Sequence, residues 1–283
     1  IADGDWSSDV CSSDLVEGDL TVAKGTTLTL EPGCVLQFEG SDIMGSGRRY
    51  YQTELRVEGT LLAQATRNNS IRLEGTSATP GHWYGLLVDE GGTTDLTGLR
   101  VRDASYGIDH RSSSTTLQVR QSEFLGQGHG GIQVSEGHAK IDAVEVHQNG
   151  DGIFVEATGS VDATNLLAVN NSNNGVFIQQ TGATSASSSI HSSTIDGNAV
   201  AGISLSGSGL PSYEVRVQNC NVTNNGVQGI LKGDSTSSGL HVSYSNVWSN
   251  PVNYDGVDDQ TNNLNADPMY VEPGAGDYRM ESG

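Results

Sequence analysis

A glycine followed by a branched or apolar residue recurs along this chain, in "YGLLV", "YGIDH", "GGIQV", "DGIFV", "NGVFI", "AGISL" and "QGILK". The glycines are Gly85, Gly107, Gly131, Gly152, Gly175, Gly202 and Gly229, spaced by 22, 24, 21, 23, 27 and 27 residues. A unit of this length cannot bury its apolar face alone and must stack on its neighbours. Helical repeats need amphipathic runs of about ten residues or more, and none lies between these glycines. A leucine-rich repeat shares the period but carries a regular Leu lattice, which is absent. The apolar runs are short and rich in Val and Ile, and turn formers such as "HQNGDG", "NNSNNG" and "TNNGVQG" bound them. A second short run, as in "LRV", "AVEV", "LLAV" or "VRV", precedes several of the glycines. The fold class is therefore all-β: a solenoid of coils of about 21–27 residues, each adding strands to parallel sheets with rungs about 4.8 Å apart.

Strand alternation fixes which side chains turn inward. The residue after each glycine is expected in the core: Leu86, Ile108, Ile132, Ile153, Val176, Ile203 and Ile230. Two positions on, the stack reads Val88, His110, Val134, Val155, Ile178, Leu205 and Lys232, with His110 and Lys232 departing from the aliphatic rule. At the turn before each glycine, Asn149, Asn198, Asn225 and Asn250 match, with Ser172 in the remaining coil. Stacked amides there would hydrogen-bond from coil to coil, a structural role.

Three blocks carry a resemblance to a known family. "LTVAKGTTLTLEPGCVLQFEG" is similar to an opening coil, and "GHWYGLLVDEGG" followed by "LTGLRVRDASYGI" to first regular coils. "SYSNVWSN" with "NNLNADPMYVEPGAGDYRM" is similar to a closing segment. Together they resemble bacterial right-handed parallel β-helix proteins of the pectin-lyase-like superfamily. The resemblance covers 16–283 and implies one right-handed parallel β-helix domain, with 16–40 capping one end and 252–283 closing part of the other. It also implies a secreted or cell-surface location, outside the cell. The fold itself carries lyases, hydrolases, adhesins and stalks alike. A start at Ile1 and the abrupt end at "YRMESG" lead us to expect an internal fragment of a longer protein.

"DWSSDVCSSDL", Asp5 to Leu15, has neither a strand nor a helix period. With permissible codons it back-translates onto one continuous DNA string resembling a common short-read sequencing adapter. We read 1–15 as a non-native or unstructured leader, with 5–15 the translated adapter, expected to stay outside the β-helix. The net charge is −20, and Asp5, Asp9 and Asp14 of that stretch account for three of those charges, leaving −17. Nucleic acid needs clustered Lys and Arg, so no nucleic-acid partner is expected. Nor is membrane insertion, because no stretch is long and apolar enough. Cys34 and Cys220 lie far apart in sequence and read as small buried hydrophobes rather than a disulfide framework.

Chemistry is thin. Lyases of this fold pair a basic residue with a cation-held carboxylate; the nearest pattern here is "ILKGD", with Lys232 and Asp234. Hydrolases of the fold use a Gly-His-Gly element beside several Asp. "GQGHGGI" holds His129 in that setting, but the companion motifs one coil away are missing. Asp142, Glu145, Asp151 and Glu156 are the densest acids. No cofactor is required, although Asp255, Asp258, Asp259 and Asp267 offer the oxygen ligands calcium takes.

Alternation also places Phe154 outside, between Ile153 and Val155, and Phe177 outside one coil later. Two stacked rings, with Gln133 and Ser204 along the column and Glu156 and Gln179 beside it, suit a sugar ring. The alternative occupant is a loop such as "TGATSASSSI". The leading reading is a non-catalytic, carbohydrate-associated module. Its rivals are a polysaccharide lyase or glycoside hydrolase, and a structural stalk or adhesin.

Overall fold

The computed structural model describes residues 6–7, 13–181, 187–207, 213–233 and 239–281. It is a parallel β-solenoid of three sheets with eleven, ten and ten strands, followed by a two-stranded antiparallel hairpin. Sheet I runs from Trp6–Ser7 and Thr27–Leu30 to Asp259–Thr261, and sheet II from Asp14–Val16 to Asn246–Trp248. Sheet III runs from Leu20–Val22 to Val252–Asp255. Each coil visits I, II and III in turn, and each strand pairs only with its counterparts in adjacent coils.

The expected core column is present in register. Ile132 pairs with Ile153, Ile153 with Val176, and Val176 with Ile203. Val134, Val155, Ile178 and Leu205 stack beside them, and all eight are fully buried. His110 continues this second row between Val88 and Val134 and is also fully buried. Lys232 ends it by reaching out to Asp258, with Nζ 2.6 Å from Oδ1.

The repeated glycine and the amide ladder are one device. A Cβ on Gly175 would sit 2.8 Å from the carbonyl oxygen of Gly202 and 2.9 Å from Nδ2 of Asn198. Gly152, Gly202 and Gly229 are equally crowded by a carbonyl of the next coil and an Asn amide. Only glycine lets the turns nest at this spacing. The ladder runs Asn149, Asn171, Asn198, Asn225 and Asn250, and the Nδ2 of each donates to the Oδ1 of the next. Asn171, not Ser172, holds the second place; the exposed Ser172 donates only to the Asn149 carbonyl. Gln127 heads the ladder, its backbone N–H donating to Asn149 Oδ1. Coils of 27 residues differ from shorter ones mainly at the corner between sheets III and I.

The first rungs differ from expectation. Trp6–Ser7 pairs with Thr27–Leu30, and Asp14–Val16 with Val35–Phe38, so parts of 5–15 do form the first rungs. Backbone pairing accepts almost any side chain at an edge, which is why composition did not reveal it. The 16–40 segment supplies strands of sheets III, I and II in turn. At the other end, 252–261 supplies the last strands of sheets III and I, and Leu264 bridges to Asn246. The chain then turns back. The hairpin Tyr270–Glu272 and Asp277–Met280 lies along the outside of sheet II, with Tyr270 Oη 3.4 Å from Thr223 Oγ1 and Tyr278 Oη 3.4 Å from Asp196 Oδ2. Cys34 and Cys220 are both buried, and burial pushes the Cys220 thiol up to about 12.

Candidate functional site

The outer face of sheet III carries the unusual side chains. Its outward column reads Leu87, Asp109, Gln133, Phe154, Phe177, Ser204 and Leu231, one residue per coil. Phe154 and Phe177 lie in register with ring centroids 5.2 Å apart and planes 6° from parallel. Both rings are half-buried. Beside them Glu156 pairs with Gln179, and Glu156 Oε1 accepts from Gln133 Nε2 at 2.6 Å and Ser135 Oγ at 2.8 Å. The face thus brings together all five residues read as a ligand platform. Of the "TGATSASSSI" stretch, 182–186 lie outside the described residues, and its last four residues belong to the strand Ser187–His191 of sheet I.

One coil earlier lies a second group. Asp109 is fully buried although it points outward, and its Oδ2 accepts from the Tyr84 hydroxyl and from Arg111 Nε at 2.7 Å. Its Oδ1 has no hydrogen-bond partner, and neither has Oε1 of the neighbouring Gln133. Burial raises the Asp109 carboxyl above its ordinary value, opposed by Arg111 and the Tyr84 hydroxyl. Burial also raises the Tyr106 phenol, helped by the charges of Asp109 and Glu156 and opposed by Arg49 and Arg111. Tyr106 meets Tyr84 edge-on at 5.8 Å and stacks on His129 at 5.2 Å, and Arg49 lies 5.5 Å over the Tyr84 ring. Aromatic and acid–base groups therefore run along one face for five coils.

The remaining candidates separate. Lys232 is held by Asp258, and Asp234 lies outside the described residues. Asp142 sits on sheet I with Asn165, and Glu145 on sheet II with Arg67, so neither joins Asp151 and Glu156 on sheet III. Asp258 accepts from Lys232 and the Leu240 amide, Asp259 from Thr261, and Asp267 from the Met269 amide. Asp255 pairs in register with Leu231 on sheet III. Among the described residues, no three His, Cys, Asp or Glu side chains gather so as to hold a metal.

Tyr84, Tyr106, Asp109 and Arg111 form no recognisable motif in the sequence, because they come together only across adjacent coils. Their signal is the outward row itself: at the place where other coils have Leu, Gln, Phe or Ser, this coil has Asp109.

No curated protein matches this chain in sequence. Among solved structures, the periplasmic alginate epimerase AlgG superposes with a TM-score of 0.59 over 86% of this chain, at 12% identity. This chain spans 61% of that epimerase's length, and at this identity the likeness is one of fold. A family model described as right handed beta helix region matches residues 84–263, the stretch that contains every glycine-led coil from Gly85 onward. By that match and the three-sheet parallel solenoid, the chain belongs to the right-handed β-helix family.

Proposed function

We propose that this chain is a secreted or cell-surface β-helix module that binds a polysaccharide along the outer face of sheet III without turning it over. One observation carries the reading: two half-buried Phe rings stacked in register, edged by a carboxylate and amides. A sugar ring offers C–H groups on its faces and hydroxyls on its rim, so a flat apolar floor with polar edges complements it. A stacked pair spans two rungs, about the footprint of one pyranose ring. The fold likeness to an alginate epimerase supports a polysaccharide partner. With a net charge of −20, nucleic acid is not a partner in this reading. No helix of the described chain is long and apolar enough to cross a membrane. The test is glycan-array or pull-down binding of the wild type against a Phe154→Ala/Phe177→Ala double variant. Loss of binding in the variant, with an unchanged circular dichroism spectrum, supports the site. No binding by the wild type, or equal binding by both, rejects it.

A second reading, a polysaccharide lyase, hydrolase or epimerase, is favoured by one specific observation. Asp109, Tyr106 and His129 place acid–base groups beside the platform, and burial raises both Asp109 and Tyr106. Burial moves the Asp109 carboxyl toward the pH range in which a group exchanges protons in catalysis, whereas Tyr106, raised above its ordinary 10, stays protonated and would serve as a hydrogen-bond donor. Turnover of alginate or pectin oligomers followed by NMR, abolished in Tyr106→Phe, would establish this reading in place of the first.

A further inference from the structure

We infer that the Phe154–Phe177 subsite takes a sugar ring that donates hydrogen bonds and carries positive charge, an amino sugar with a free ammonium group, in preference to a carboxylated ring. The inference rests on the glycan-binding reading of this face and adds the substrate class.

The first ground is an excess of acceptors. Gln133 is 3% exposed, and its Oε1 has no donor. Asp109, one coil earlier in the same column, is 0% exposed, and its Oδ1 has no donor either. Both bonds that Glu156 accepts from the described residues go to Oε1, which leaves Oε2 unused. Buried acceptors without donors cost free energy. The Gln133 and Asp109 oxygens are closed to a ligand, so Glu156 Oε2 is the acceptor open to it: a ring stacked on the phenylalanines that brings N–H or O–H groups donates there, whereas a ligand carboxylate adds further acceptors.

The second ground is charge. The strands Asp151–Ala157, Val176–Gln180 and Ala201–Gly207 contain no Lys or Arg. The next cation along the sheet, Lys232, is bound to Asp258. On the other side Arg111 is bound to Asp109. The platform is thus bordered by the Glu156 carboxylate with no free cation on its own strands, in a chain of net charge −20. A polyanion approaching this face meets like charge, while an ammonium group meets Glu156 and the negative faces of two aromatic rings.

The test measures binding of glucosamine, N-acetylglucosamine and mannuronate tetramers by calorimetry at low and high salt. The wild type is compared with Glu156→Gln and with Phe154→Ala/Phe177→Ala, each checked for intact fold by circular dichroism. The expected result is that the glucosamine tetramer binds about tenfold or more tighter than the mannuronate one. Salt should narrow the gap, Glu156→Gln should bring glucosamine down to the N-acetylated level, and the double Phe variant should lose all three. The double variant keeps the net charge, so equal glucosamine binding by it would mean non-specific attraction to an acidic protein and would overturn the inference. Mannuronate binding as tight as glucosamine, or no effect of Glu156→Gln, also overturns it. Binding of only the N-acetylated tetramer overturns the inference but leaves the glycan-binding reading standing, whereas binding of no glycan removes both.

Discussion

Replacing His110 with leucine is expected to stabilise this protein, and to do so more strongly in acid. His110 is fully buried in an otherwise aliphatic row between Val88 and Val134, and neither ring nitrogen has a hydrogen-bond partner. Burial holds its pKa below the ordinary 6.5, opposed by the nearby backbone of Thr115 and Ser112 and by Glu90, and helped by His138. Leucine has similar volume and no polar atoms. An unpartnered buried polar atom costs about 1–3 kcal/mol, so the variant should gain roughly that much near neutrality. A depressed pKa means that the folded state resists protonation. Below 6.5 the unfolded chain binds a proton that the folded chain does not, and stability falls as the pH falls toward the folded value. Over that window the wild type should lose up to about 1.4 kcal/mol per pH unit that the variant keeps. Urea unfolding of both proteins at about pH 7.5 and about pH 5.5 measures this directly. Other histidines, such as those paired with Glu123, Asp162 and Glu214, are common to both proteins and cancel in the difference. A gap that stays constant between the two pH values, or a variant less stable at both, refutes the reasoning.

Asn198→Ala removes an amide that donates to Asn225 Oδ1 and the Ala168 carbonyl and accepts from Asn171, and should cost roughly 2–4 kcal/mol in denaturant unfolding. Ile153→Ala, at the centre of the core column, should cost roughly 2–5 kcal/mol by the same assay, and a value near zero would place the side chain outside the core. A genomic read across the locus should lack the codons for Asp5–Leu15. Finding them in the natural gene would end the adapter reading.

The inner rows were legible because each coil repeats the same test. If Ile153 points inward then Val176 must also, and seven aligned glycines fix the register. The ladder was legible except at Ser172. The ladder residue lies three places before its glycine at Asn149–Gly152 but four places before it at Asn171–Gly175, Asn198–Gly202 and Asn225–Gly229, so the count taken from the Asn149 coil lands one place late at Gly175. The corner gives the better count, because a left-handed residue precedes each ladder Asn: Gln148, Asn170, Gly197, Asn224 and Ser249. The path of the hairpin was not legible. Nothing local to "YVEPGAGDYRM" states that Tyr270 and Tyr278 meet Thr223 and Asp196, residues on coils that ended long before.

Two departures from the repeat, His110 and Asp109, are neighbours in sequence and differ in what they mean. Both are buried side chains with unpartnered polar atoms, and each costs the fold stability. His110 points into the lumen, packed between aliphatic rungs, where no ligand can reach it. Asp109 points outward, bonded to Tyr84 and Arg111, in the column that continues through Gln133 to the Phe154–Phe177 pair. In a solenoid the lumen is constrained coil by coil, while an outer face need only keep its backbone pairing. Apolar rings and orphaned acceptors gathered on one outer face are therefore not required by the fold. A ligand that covers the rings and donates to the unused Glu156 Oε2 meets what this face leaves open, which is why the reading of function rests on sheet III and not on the more conspicuous histidine inside it.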